Sequence, residues 1–172
     1  TGLGPGIVDL TGIEAFTAIT GLNCSYNSFS SLDLSANIAL TDLWCSSCIH
    51  LTSIDLSANT ALTNLNCQNS NLASLNVSAN TALDALICYG NAISSLNVSD
   101  AIALTYLDCR WNLLSSLNVQ NGNNLNFTYF NTTNNPNLTC IQVDNVAYSN
   151  ANWSNIDAGA SYSTNCGVTS VP

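Results

Sequence analysis

Apolar residues recur along this chain in a fixed frame. In the stretch Leu62 to Ala82 they are Leu62, Leu65, Cys67, Leu72, Leu75 and Val77, and the residues between are almost all Asn, Ser, Thr, Ala or Gln. The frame repeats forward at Leu83 (Leu86, Cys88, Ile93, Leu96, Val98) and at Leu104 (Leu107, Cys109, Leu114, Leu117, Val119). Backward it returns at Leu40 (Leu43, Cys45, Leu51, Ile54, Leu56) and at Ile19 (Leu22, Cys24, Phe29, Leu32, Leu34). Cys24, Cys45, Cys67, Cys88 and Cys109 mark the period, in steps of 21, 22, 21 and 21. Self-similarity of this length predicts a solenoid, whose coils bury their apolar side only by stacking. Each coil holds two segments of period-two alternation, such as Leu65-Asn66-Cys67 and Leu75-Asn76-Val77, which put Leu, Cys and Val inside and the intervening residues outside. Five to seven residues, carrying Asn and Ser, separate the two segments, too few for a three-turn helix. The predicted coil is mainly β and helix-poor, with parallel strands stacked at roughly 4.7–4.9 Å.

The turns carry a second pattern. Three residues after each ladder cysteine stand Asn27, Cys48, Ser70, Asn91 and Asn112. An Asn amide both donates and accepts, so a column of them satisfies backbone groups in its own coil and the next. Asn37, Asn59 and Asn80 form a partial counterpart at the other corner. Cys48 interrupts the first column, and an extra residue near His50 makes the second coil the most irregular of the five. Residues 1–18 do not fit the frame. The threefold spacing of Ile7, Leu10, Ile13 and Phe16 suggests a short helix, but Gly2, Gly4, Pro5, Gly6 and Gly12 weigh against it. A partial coil covering the first core layer is the expectation. A sixth, irregular coil is expected over Leu125–Cys140, with Phe130 at the ladder-cysteine position, Thr133 at the Asn position, and Leu138 and Cys140 matching Leu117 and Val119. After it, Val143, Val146, Tyr148 and Trp153 are expected to cover the last layer, with Cys166 tied back to Cys140. The division is therefore an N-terminal cap or partial repeat (1–18), a solenoid of five regular coils plus one irregular coil (19–143), and a C-terminal cap (144–172).

Composition narrows the functions open to such a fold. Nearly half the residues, 47%, are apolar and only 6% are charged, with one Lys or Arg against ten Asp or Glu. A net charge of −9 with Arg110 as the sole strong cation excludes nucleic acid, which needs cations along the phosphates. It likewise argues against anionic membrane surfaces, and no apolar run reaches the ~20 residues of a membrane span. The opening TGLGPG carries no signal-peptide pattern, and the chain reads as a processed or trimmed piece of something longer. Of the eight cysteines, five occupy one core position, where Cys acts as a small hydrophobe. Cys140 and Cys166 lie outside that frame, and a bridge between them implies an oxidising compartment.

The frame LTxLxCxxNxLxSLDLSxNTA resembles the bacterial leucine-rich repeats of the internalin J type, in which a cysteine replaces one strand leucine. The opening IVDLTGIEAFTAITGLNCSYN resembles the first repeat of such proteins in secreted Bacteroidetes chains. The ending NPNLTCIQVDNVAYSNANWSNIDAGASYSTNC is similar to the cap those chains carry before a C-terminal type IX sorting domain. The resemblance implies a leucine-rich-repeat solenoid exported to the cell surface or medium, and repeats of this kind bind proteins, glycans or other surfaces.

Candidate chemistry is sparse. Cys45-x-x-Cys48-x-His50 offers three ligands where structural zinc wants four, so it reads as local packing variation, and no metal or cofactor is expected. The buried ladder thiols have no basic neighbour to activate them. One His and evenly distributed acids such as Asp33 and Asp55 supply no catalytic constellation. Large side chains instead collect on the Leu-x-Cys strand face: Tyr26, Trp44, Ile87, Tyr89, Tyr106, Asp108, Arg110, Trp111 and Tyr129. The other strand face is a uniform polar array, Ser31 and Asp33 through Ser116 and Asn118. Aromatics and Arg are what binding hot spots use. The expected function is a non-catalytic secreted or surface module that binds a protein or glycan on that face. The alternative is a rigid spacer or self-assembling subunit of an adhesin or filament, and a third reading is ice binding by the Ser/Asn array.

Overall fold

In the computed structural model, which describes residues 6–167, the chain winds as a parallel-strand leucine-rich solenoid. Its strands are each three residues long: β1 (Gly21–Asn23), β2 (Asp42–Trp44), β3 (Asn64–Asn66), β4 (Ala85–Ile87), β5 (Ser95–Asn97), β6 (Tyr106–Asp108), β7 (Ser116–Asn118), β8 (Tyr129–Asn131), β9 (Cys140–Gln142) and β10 (Ser161–Ser163). One α-helix, α1 (Val146–Asn152), lies between β9 and β10. Six strands form a parallel sheet in the order β1-β2-β3-β4-β6-β8, and four form a second in the order β10-β9-β7-β5. The expectations that involve Gly2, Gly4 and Pro5, and the last residues of the C-terminal cap, fall outside the described residues.

The repeat explains the register. Leu22, Leu43, Leu65, Leu86, Leu107 and Phe130 pair one above another across the six-stranded sheet. The ladder cysteine that follows each leucine carries the hydrogen bonding one residue further. Cys24, Cys45, Cys67, Cys88 and Cys109 each donate their N–H to a carbonyl of the next coil at 2.8–3.0 Å. All five side chains are buried, together with the leucines of the opposite wall. Burying each Leu contributes about 1.5–3 kcal/mol, and no coil makes that gain without its neighbours.

The corner column shows how the stack tolerates variation. Asn91 Nδ2 donates to the carbonyls of Cys67 and Cys88, and its Oδ1 accepts from Leu72 N–H, all at 3.0 Å. Asn112 and Asn135 repeat the arrangement one and two coils later. Cys48 and Ser70 do not break it, because the Cys48 thiol reaches the Cys24 carbonyl at 3.4 Å and the Ser70 hydroxyl reaches that of Cys45 at 3.2 Å. At the other corner Asn37, Asn59 and Asn80 each donate to two carbonyls of the preceding coil. Their Oδ1 atoms are buried without a partner among the described residues.

Two expectations are corrected. In the sixth coil Phe130 occupies the leucine position, Thr132 takes the place after Cys109 in the cysteine ladder, and Asn135 rather than Thr133 continues the Asn column. Ile141, not Leu138, pairs with Leu117, which turns Cys140 outward. The cause is the 3-10 turn Asn124–Asn126, where extra residues lengthen the coil beyond the 21-residue period. Second, paired strands were expected in both segments of every coil, but 31–33, 53–55 and 74–76 form none. Asp33 and Asp55 stack in neighbouring coils, and opposed like charges work against pairing; nothing comparable accounts for 74–76. The N-terminal region, expected as a partial coil rather than a helix, forms a single 3-10 turn, Ile13–Ala15, and the Ile13 and Phe16 carbonyls accept from Asn37 Nδ2. Leu10 and Ile19 pack on the core, whereas Ile7 and Phe16 stay exposed.

Candidate functional site

One local rule governs the residue after each strand leucine, and its exceptions define the site. On the second side of the coil that residue is Asp33, Asp55, Asn76, Asn97 or Asn118. Each accepts the backbone N–H two residues on, at 2.9–3.0 Å. Such a side chain ties the strand exit to itself. On the six-stranded sheet Asn23, Asn66, Asp108 and Asn131 do the same at 3.1–3.4 Å. Trp44 and Ile87 do not. At these two positions a capping side chain is replaced by a large apolar one, and Ser46 N–H turns to the hydroxyl of Ser25 at 3.2 Å.

Trp44 and Ile87 stand two strands apart, roughly 9–10 Å, on either side of β3. Between them lies a shallow depression of about 250 Å³ lined also by Asp42, Asn64, Asn66 and Ala85. Leu65 also lines it, and at its edge Asn64 Nδ2 donates to Asp42 at 2.8 Å and to the Thr63 hydroxyl at 3.1 Å. Apolar walls over hydrogen-bonding groups suit a ligand with both kinds of surface.

Beside this depression the last strands of the sheet carry a packed cluster. Tyr106 and Tyr129 stack with ring centroids 4.5 Å apart and planes at 11°. The Arg110 guanidinium lies 4.6 Å from the Tyr89 ring centroid, a cation–π contact. Arg110 Nε is 3.4 Å from Asp108 Oδ2, an ion pair rather than a well-formed hydrogen bond. Asp108 was expected among the exposed residues and is instead only 3% exposed. Its neighbours' rings and the Arg110 stem are large enough to cover a short side chain. That burial raises its carboxyl above the ordinary Asp range, with Arg110 opposing the shift. Burial and the neighbouring Tyr129 likewise raise the Tyr106 hydroxyl.

Tyr26 and Trp111 belong to a different column, the turn after each ladder cysteine. There Tyr26, Ser47, Asn69, Gly90, Trp111 and Asn134 all adopt positive φ, between 51° and 69°. Gly and Asn hold that conformation cheaply, whereas a bulky residue in it is an outlier. Tyr26 and Trp111 do so with their rings 72% and 61% exposed. They lie four coils apart, roughly 19 Å, one near each end of the face. The expected set thus separates into the Trp44–Ile87 depression, the Tyr89–Tyr106–Asp108–Arg110–Tyr129 cluster, and two flanking rings. Strand alternation points to Trp44 and Ile87 but not to the Asx rule they break, although the recurring Asn and Asp of the repeat contain it.

The cysteines have a different character. Burial pushes the Cys24 thiol up to about 12 and raises those of Cys45, Cys67, Cys88 and Cys109 as well, so none is a thiolate at neutral pH. Cys48 is buried and His50 exposed, and no three metal-binding side chains come together among the described residues. Cys140 and Cys166 are bonded, 26 positions apart in the sequence.

No family model and no curated protein matches the chain. Among solved structures it is similar to the functional domain of InlJ from Listeria monocytogenes, a domain that includes a cysteine ladder. The two are 28% identical, with a TM-score of 0.47, over 80% of this chain and 42% of that one. The present chain therefore spans less than half the length of that domain.

Proposed function

We propose that the chain is a non-catalytic recognition module, exported to the cell surface or medium, that binds a protein or glycan through its six-stranded face. The observation that carries this reading is the pair Trp44 and Ile87. Both forgo a backbone-capping hydrogen bond that the repeat otherwise keeps, and both present apolar surface to solvent or to the depression between them. Residues that break a local rule without a folding benefit are where functional positions are expected. The Tyr106–Tyr129 stack and the Arg110–Tyr89 contact extend the surface with rigid rings that lose little entropy on binding. Support for export comes from the Cys140–Cys166 bridge, which requires an oxidising compartment.

The test is the double variant Trp44→Asn, Ile87→Asn, which restores the capping rule at both positions. Glycan-array and cell-adhesion binding should fall at least tenfold while the melting temperature holds or rises. Unchanged binding would remove this face from the function. Concentration-dependent self-association in sedimentation, with no ligand found, would favour a structural subunit instead.

A further inference from the structure

Arg110, the sole strong cation of the chain, shows how the six-stranded side holds a positive charge. Its guanidinium carbon lies 4.6 Å from the Tyr89 ring centroid, and its Nε is 3.4 Å from Asp108 Oδ2. The cation thus rests on an aromatic ring with a carboxylate beside it. A planar guanidinium suits that combination, since it stacks on rings and forks onto carboxylates. The same two kinds of partner recur at β2. Asp42 and Trp44 stand two residues apart there and line one depression, with roughly 6–7 Å between their Cα atoms.

The Trp44 side chain is exposed, at 37%, and it leans toward β1. Its Cζ3 atom lies 4.0 Å from where a Cβ would stand on Gly21, and Gly21 is in register with Asp42. The ring therefore lies along the row that holds the carboxylate, over a residue with no side chain of its own. Asp42 is fixed from two sides. Its Oδ1 accepts from Asn64 Nδ2 at 2.8 Å, and the Thr41 hydroxyl donates to its Oδ2 at 2.7 Å. A carboxylate has about four lone-pair sites, so each oxygen retains one. Asn64 spends its other N–H on the Thr63 hydroxyl, which leaves its Oδ1 to accept as well. Asp42 and Asn64 together offer a ligand acceptors and no donor.

We propose that Asp42 and Trp44 receive an arginine side chain of a partner protein. The assignment rests on the strand face being the binding surface, and it selects protein over glycan as the ligand. Charge decides the class. The chain carries ten Asp or Glu against one Lys or Arg, and that one is engaged with Asp108 and Tyr89. A basic loop on a partner meets a surface of opposite sign, which speeds encounter and suppresses acidic competitors. Its guanidinium lies against the exposed indole while the fork reaches the remaining lone pairs of both Asp42 oxygens. Lysine brings the charge without the fork. A neutral sugar finds the same acceptors but gains nothing from the charge.

The probes are capped Gly-X-Gly peptides in which X is arginine, lysine or citrulline, the last matching arginine in shape without its charge. The chain has three tryptophans, Trp44, Trp111 and Trp153, so their indole N–H signals in a ¹⁵N-correlated NMR spectrum separate this site from the rest of the surface. Titration at low salt runs to about 50 mM, above the roughly millimolar affinity so few contacts allow. The arginine peptide should move the Trp44 signal saturably while those of Trp111 and Trp153 stay in place. Lysine should bind several-fold more weakly and citrulline about tenfold more weakly. Raising NaCl to about 200 mM should weaken the arginine response. Asp42→Asn, which keeps an acceptor for Asn64, should weaken it about fivefold or more without lowering the melting temperature. The peptide comparison needs no variant. Equal binding of arginine and citrulline, or an Asp42→Asn chain that responds as the parent does, would overturn the assignment. A Trp44 signal unmoved by the arginine peptide would also overturn it, and movement with methyl glycosides instead would leave the strand face standing. Failure of the face itself reads out separately, as unchanged adhesion of the Trp44→Asn, Ile87→Asn double variant.

Discussion

The two sides of the coil are built from the same repeat around the same core, yet they follow their shared rules to different degrees. On the Ser/Asn/Asp side the capping residue is present in all five regular coils, from Asp33 to Asn118, each closing its own turn. On the six-stranded side the same device operates at Asn23, Asn66, Asp108 and Asn131 and is abandoned at Trp44 and Ile87. The αL turn beside that sheet shows the same split. Asn69, Gly90 and Asn134 suit the conformation, whereas Tyr26 and Trp111 endure it. The core does not differ between the two sides, so the departures are not demanded by packing. The regular array of polar residues serves the backbone, and at Trp44 and Ile87 it is interrupted by apolar side chains that make no such bond.

The largest effect tests whether both faces depend equally on the corner that joins them. Asn112 makes hydrogen bonds to the carbonyls of Cys88 and Cys109 and accepts from Ile93 N–H, and its side chain is buried. Asn112→Ala orphans these backbone groups and should cost about 3 kcal/mol in urea unfolding. Asn59→Ala, in the column whose Oδ1 is already unpartnered, should cost less. Equal losses would mean that the two corners are not distinguished by their hydrogen bonding.

Much of this was legible in the sequence, and the failures have physical causes. Period-two alternation and the cysteine spacing located the leucine column because burial constrains those positions in every coil. The sixth coil was misaligned because counting by 21 cannot see the 3-10 turn at Asn124–Asn126. The true signal there was Asn135, which keeps the Asn column three residues after Thr132. Asp108 was placed on the surface because alternation gives direction and not cover. The residues that flank it in register, Ile87 and Asn131, come from other strands. The packing of Phe127 on Trp153 was invisible for the same reason, since the two meet only after the last coil closes.

The next effects should carry opposite signs on the two sides. Trp111→Gly relieves a bulky residue at φ 54° and should stabilise by about 1 kcal/mol. Asn97→Ala removes a cap to Ser99 N–H on the regular side and should destabilise by about 0.5–1 kcal/mol. Thermal melts of the two variants beside the parent suffice. Two shifts in the same direction would erase the distinction between positions kept for the fold and positions kept in spite of it.

The smallest effect concerns charge, and Asp108 is the place to look because it is the capping residue that the aromatic cluster has covered. Its carboxyl is raised in the folded state by burial, with Arg110 partly opposing. A raised carboxyl means that the folded chain holds a proton which the unfolded chain has released. The cost of charging it is absent below the ordinary Asp value of about 3.9, grows as pH rises, and is complete above the raised folded value. The exposed Asp33 and Asp55 are lowered by their Ser35 and Ser57 caps, so they contribute with the opposite sign, losing stability only as pH falls below the ordinary value. Asp108→Asn keeps the shape and the acceptor for Arg110 N–H while deleting the charge. The variant should therefore gain on the parent at neutral pH, and the gap should close as both approach pH 4. A variant less stable than the parent at pH 7 would show that the 3.4 Å pairing with Arg110 outweighs burial. The cluster would then be an ion-paired structural patch, and the contrast between the faces would rest on Trp44, Ile87 and the two strained rings alone.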